Sequence, residues 1–221
     1  GKAKNAAGYL KIDDCIAQMK RSSRCGWEAE MLSLKPNLEN VVFPDFDPNI
    51  HIKELSYDPE LPLYRAIDFG FVNPLVCLWI QADTDGPVRI IDEYVQRRVT
   101  IDAHIRRIRE MTPGGENRVL ATFCDPAGKG KNDVTGTSAV SQLRKAGMTI
   151  RCRKSSILEG LELIRRALRN GSGKSRLLVS PRCKNLIEAF RCYHYPDNTA
   201  PGELPLKDGI YDHPIDAIRY F

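Results

Sequence analysis

Three aspartates in this chain of 221 residues stand where a carboxylate is costly. Asp68 closes the run Tyr64-Arg65-Ala66-Ile67, and Phe69-Gly70 turns the chain away behind it. Asp125 ends Thr122-Phe123-Cys124. Asp216 lies in Asp212-His213-Pro214-Ile215-Asp216-Ala217-Ile218, a helical pattern whose Ile215 and Ile218 should face a core. A carboxylate in such a place loses hydration that a partner must replace. Divalent metal is one such partner, and Mg²⁺ and Mn²⁺ prefer hard oxygen ligands. Each acid also has a plainer reading. A strand-end Asp forms turns or caps helices, Asp212 before Pro214 reads as an N-cap, and His213 and Asp216 share a helix face as a surface pair would. The three acids jointly make a more specific signal than any one alone.

The elements that must position them follow from periodicity and turn residues. Residues 63–68 and 74–81 read as strands, Asp85-Gly86 as a hairpin turn and 88–95 as a third strand, together an antiparallel meander. Thr100 can cap a helix whose Ile101, Ile105, Ile108 and Met111 share a face. An apolar strand over 119–124 runs into Asp125, and a helix over about 138–146 and a strand near 149–153 follow. Ile157, Leu161, Ile164 and Leu168 mark an amphipathic helix stopped at Asn170-Gly171. A short strand over 176–180, a helix over 185–193, a loop over 195–209 and a last helix from about Asp212 complete the order. The fold class is α/β, a mixed sheet of three antiparallel strands and then parallel ones, flanked by helices. Upstream, two short helical patterns precede Pro36, Pro44, Pro48, Pro59 and Pro62, so residues 1–62 read as a connector and 63–221 as the main domain.

Composition narrows the partners. Lys and Arg total 33 against 28 Asp and Glu, a net charge of +5 with a pI near 8.8, which permits a polyanion without demanding one. The seven cysteines include no C-x-x-C pair, and Cys183, Cys192 and His194 lack a fourth ligand. No apolar run approaches the ~18 residues of a membrane span, and the first residues hold no signal-peptide pattern, so neither membrane insertion nor secretion is expected.

The combination resembles the RNase H-like nuclease fold. Within it, Ala66-Ile67-Asp68-Phe69-Gly70 with Asn73-Pro74, then Cys124-Asp125-Pro126-Ala127-Gly128, then His213-Pro214-Ile215-Asp216-Ala217-Ile218-Arg219-Tyr220 are similar to the nuclease domain of phage large terminase subunits. The resemblance implies an endonuclease that uses two divalent cations, Mg²⁺ or Mn²⁺, to cut concatemeric double-stranded DNA during genome packaging. Two ions ~4 Å apart would clamp the attacking and leaving oxygens. It gives Asp68 the bridging role, Asp125 one ion and Asp216 the other, with His213 as a ligand or as the group orienting water or the scissile phosphate. It also implies an ATPase domain in cis before residues 1–62, portal and small-terminase partners, and the cytoplasm of a host cell.

Asp92 and Glu93 are the candidates for a fourth acid, with an exposed edge position as the plainer reading. Lys129, Lys131 and Asn132, in a glycine-bearing loop after Asp125, are the candidates for DNA contact, followed by the clusters Arg144, Lys145, Arg151, Arg153, Lys154 and Arg97, Arg98, Arg106, Arg107, Arg109. Gly171-Ser172-Gly173-Lys174-Ser175 imitates a P-loop but has Leu168 where the first glycine belongs. Asp68-Phe69-Gly70 imitates a kinase motif without its catalytic loop. The competing readings are a junction resolvase of the same fold, an actin-like ATP-binding domain, and a docking module without catalysis.

Overall fold

The computed structural model describes residues 12–22, 27, 41–126, 138–152, 156–196 and 203–221. Helices α1 (Ile12–Arg21) and α2 (Pro48–His51) precede strands β1 (Leu63–Asp68), β2 (Leu75–Gln81) and β3 (Val88–Gln96). Then come α3 (Ile101–Met111), β4 (Val119–Cys124), α4 (Ala139–Lys145), β5 (Ile150–Cys152), α5 (Ile157–Leu168), β6 (Leu177–Val179), α6 (Lys184–Cys192) and α7 (Asp212–Tyr220). The strands form one sheet in the order β5-β4-β1-β2-β3-β6. β1, β2 and β3 pair antiparallel, while β4 pairs parallel to β1, β5 to β4 and β6 to β3. The expected mixed sheet is therefore present, and β1 lies inside it.

Both faces of the sheet are covered, which is why β2, Leu-Val-Cys-Leu-Trp-Ile-Gln, is apolar almost without alternation and buried throughout. On one face Ala66, Val76, Leu78 and Ile80 meet Leu161, Ile164 and Leu168 of α5, Phe190 of α6 and Ile215 and Ile218 of α7. On the other, Ile67, Cys77, Trp79 and Ile91 meet Ile105 and Ile108 of α3 and Leu143 of α4. Alternation along β1 sends Ile67 to the second face and Asp68 to the first, under α7. Arg65, fully buried, points with Ile67; it pairs with Glu116 and donates to Thr122 Oγ1 at 3.1 Å and Thr112 Oγ1 at 3.2 Å.

The segment before β1 joins this core. Val42 N donates to Tyr193 O at 2.9 Å, and Phe43 stands edge-on to Phe190 at 5.2 Å. Both are buried in the α5–α7 core. Of the second upstream helical pattern only Trp27 is described. Thr100 takes the N-cap position of α3 without a side-chain cap bond. No helix among the described residues is long and apolar enough to cross a membrane.

Candidate active site

Two strand ends and one helix build the site. β1 ends on Asp68, the parallel neighbour β4 runs out into Asp125, and α7 crosses that end of the sheet with His213, Asp216 and Tyr220. Pro214 opens α7 at its third residue, where its missing N–H is not needed, and Ile215 and Ile218 fasten it to the core. Positions 213, 216 and 220 then fall on one helical face.

His213 Nδ1 lies 2.6 Å from Asp68 Oδ2, a short charge-assisted contact. Tyr220 Oη lies 3.1 Å from Asp125 Oδ2 and 3.4 Å from Asp68 Oδ1, its single proton shared between the two carboxylates. Burial pushes the Asp68 carboxyl up; the His213 hydrogen bond pulls it down, and the charges of Asp216 and Asp125 push it up again. For His213 burial alone acts downward, but the bond to Asp68 and the charges of Asp68, Asp212 and Asp216 carry it above its ordinary value. Asp216 is close enough to act on Asp68 electrostatically, yet its carboxylate is held elsewhere. Arg219 donates to its Oδ1 through Nε at 3.0 Å and Nη2 at 2.9 Å, and Lys207 Nζ is 3.7 Å from Oδ2.

The structure thus brings Asp68, Asp125 and His213 into one hydrogen-bonded group, with Asp216 one step aside in an ion pair. Among the described residues no three His, Cys, Asp or Glu side chains stand together as a ready-made metal-holding group. The donor chemistry nevertheless suits a hard divalent cation. Asp68 is a buried carboxylate crowded by two others. Asp212 Oδ1 and His213 Nε2 are buried without a hydrogen-bond partner, 3.9 Å apart. Carboxylate oxygens and a buried imidazole nitrogen lacking partners are what such an ion would satisfy.

Two local expectations are corrected. Asp212 is not the N-cap of α7; Tyr211 holds that position. The turn before it is tied by Asp208 Oδ1, which accepts from Ile210 N and Tyr211 N at 2.8 Å. That leaves the Asp212 carboxyl buried, and burial raises its pKa. Glu93 is not an exposed edge acid: β6 pairs only with residues 88–90 of β3, and beyond it the N-terminus of α6 packs on Glu93 and buries it. It accepts from Asn185 N at 2.7 Å, Asn185 Nδ2 at 2.8 Å and Leu186 N at 3.0 Å, so it satisfies the first-turn donors of α6. Asp92 Oδ1 accepts from Glu93 N. The candidate DNA contacts Lys129, Lys131 and Asn132, and also Arg153 and Lys154, lie outside the described residues. Tyr220 and Arg219 were legible as part of a motif but not as members of the site. An aromatic and an arginine ending an amphipathic helix read as packing and surface until the fold turns them toward the acids.

The large terminase of a thermophilic bacteriophage matches this structure with a TM-score of 0.77 at 19% identity, covering 96% of this chain and 51% of that one. The chain therefore spans about half the length of that full-length terminase. The nuclease domain of the P22 large terminase matches with a TM-score of 0.65 at 18% identity over 82% of this chain and 90% of that one. The large terminase nuclease from the thermophilic phage G20c with bound cobalt matches at 0.54 and 18% identity, over 81% and 97%. At these identities the likeness establishes the fold. Among curated proteins none matches. A family profile described as the terminase RNaseH-like domain matches residues 65–221, a span that begins in β1 and takes in Asp68, Asp125, His213 and Asp216. The chain belongs to the terminase RNaseH-like domain family.

Proposed function

We propose that the chain is a divalent-metal-dependent endonuclease that hydrolyses phosphodiester bonds of concatemeric double-stranded DNA during viral genome packaging. The observation that carries this reading is that Tyr220 Oη joins Asp68 to Asp125 while His213 holds the other oxygen of Asp68, at adjacent strand ends in a fold shared with terminase nuclease domains. Asp68 and Asp125 would hold one ion between them, and Asp216 a second once it exchanges Arg219. Bound Mg²⁺ or Mn²⁺ supplies charge stabilisation at the phosphoryl oxygens and an acidified water. His213, seated on Asp68, orients the acid and can exchange a proton with the site. Burial of Asp68 and Asp216 keeps bulk water from competing for the carboxylates.

Residues 1–62 would lead from an ATPase domain in cis into the nuclease domain at 63–221, and portal, small terminase subunit and host cytoplasm follow from the same reading. The G20c nuclease bound cobalt in one crystal and zinc in another. A divalent site in this chain is the corresponding proposal, with Lys129, Lys131 and Asn132 on DNA phosphates. The test is nicking of supercoiled plasmid across a panel of divalent metals, without ATP and with an EDTA control. Asp68→Asn, Asp125→Asn and Asp216→Asn should each abolish nicking with the melting transition retained. Nicking that survives in two of the three overturns the site.

A further inference from the structure

Large apolar side chains are exposed where the chain leaves β1. Phe71 is 61% and Val72 72% exposed, and Ile210, in the segment leading into α7, is 54% exposed. These residues do not sit on slack loops. A Cβ on Gly70 would stand 2.5 Å from the carbonyl oxygens of Asn73 and Pro74, so the turn closes tightly under Phe71. Arg98 N donates to Phe71 O at 2.8 Å, and Arg97 Nη2 donates to Gly209 O at 2.9 Å. Gly209, at φ 70°, packs with a Cβ position 3.1 Å from Asn73 Oδ1. Three segments, 69–74, 97–98 and 206–211, are thereby locked together beside Asp68 and Asp212. The same segments carry exposed Arg97, Arg98 and Lys207.

The acids themselves are recessed: Asp68 is 7% and Asp216 8% exposed. A phosphate of a duplex approaches carboxylates this recessed more closely when its backbone is locally distorted than when the helix is straight and fully stacked. Apolar side chains that press between or against bases unstack a step and bend the duplex, and cations flanking them hold the phosphates in register. We propose that Phe71, with Val72 and Ile210, is an apolar wedge that unstacks the duplex next to the scissile phosphate, while Arg97, Arg98 and Lys207 grip the flanking backbone. This rests on the endonuclease reading above and adds to it the means by which the strand reaches the acids.

Intact plasmid and a duplex carrying a short mismatch bubble are digested in Mn²⁺ by the wild type, Phe71→Ala and Phe71→Trp. Phe71→Ala should slow nicking of intact duplex about tenfold, as loss of one base–aromatic stack does. Phe71→Trp should keep the rate, and the bubble should restore most of what Phe71→Ala loses. In EDTA, on an Asp68→Asn background, Phe71→Ala should weaken binding of a labelled duplex, read by fluorescence anisotropy, about tenfold. Equal nicking of intact duplex by Phe71→Ala and wild type overturns the wedge and leaves the patch to a protein partner. Equal losses on duplex and bubble overturn it as well. A wild-type chain that cuts neither substrate in any divalent metal overturns the endonuclease reading instead. The wedge is then judged on anisotropy alone, where unchanged binding by Phe71→Ala rejects it.

Discussion

Removing one hydroxyl, in Tyr220→Phe, tests whether the two strand ends are tied together by the phenol. The ring keeps its place, since Tyr220 is 3% exposed and packed, so the change isolates the contacts to Asp125 at 3.1 Å and Asp68 at 3.4 Å. A hydrogen bond to a charged group contributes about 1.5–3 kcal/mol. Both contacts are long for a hydroxyl donor, the 3.4 Å one more so, so the expected loss lies in the lower part of that range, about 2 kcal/mol. For a domain of this size each kcal/mol moves the melting temperature by about 2–4 °C, which puts the fall at about 4–8 °C. The assay is thermal unfolding followed by circular dichroism, once in EDTA and once in saturating Mn²⁺. In EDTA the full difference should appear. With Mn²⁺ the carboxylates gain another partner, so the gap between variant and wild type should narrow to about half or less. A variant that melts with the wild type in EDTA, or a gap that Mn²⁺ leaves untouched, refutes the reasoning.

Glu93→Gln should cost about 1–3 kcal/mol, because an amide nitrogen cannot accept from the first-turn donors of α6, while plasmid nicking persists; lost nicking with unchanged stability would make Glu93 a fourth metal acid. Glu116→Gln leaves the Arg65 guanidinium buried beside a neutral partner and should lower stability by about 3 kcal/mol, the low end for a broken buried pair because Glu116 is partly exposed. Urea titration reads it as a lower midpoint at constant slope, and a loss under about 1 kcal/mol would mark the pair as solvent-screened. In EDTA the titration of His213 should add a pH-dependent part to stability. Its folded pKa lies above 6.5, so this part is complete below pH 6.5 and disappears as pH climbs through the higher folded value. His213→Ala should flatten that dependence in melting curves between pH 5 and 9, and parallel wild-type and variant curves would reject the Asp68 contact as its cause.

Most of the fold was legible because its signals are local. β2 announced itself by an unbroken apolar run, α5 by Ile157, Leu161, Ile164 and Leu168, and the meander by Asp85-Gly86. Asp68 and Asp125 were legible for the same reason, each an acid ending an apolar run, whereas His213 stood out only through the resemblance to terminase nucleases. What stayed hidden depends on contacts distant in sequence. Whether Glu93 faces water or a helix end turns on β6 and α6 arriving beside β3, with partners 92 and 93 residues further along. Asp212 read as a cap because Pro214 follows it, but cap positions are fixed by backbone angles that residue types only bias. Asp216 was legible as an acid on the core side of α7, not as a partner of Arg219. That pairing needs Gly160 of α5, where a Cβ would stand 2.3 Å from Arg219 Cγ, to leave room for the arginine stem.

His213 reaches Asp68 across 145 residues, and Tyr220 reaches it across 152. Chain closure over such spans is slow and comes after local helices and hairpins have formed. Any partly folded form, with the sheet assembled and α7 still detached, holds Asp68 and Asp125 without their third wall. On the endonuclease reading proposed above, hydrolytic competence would then be a late property of the maturing chain. On that reading, a chain whose closing helix has not yet docked would lack the wall that carries His213, Asp216 and Tyr220, and would not cut.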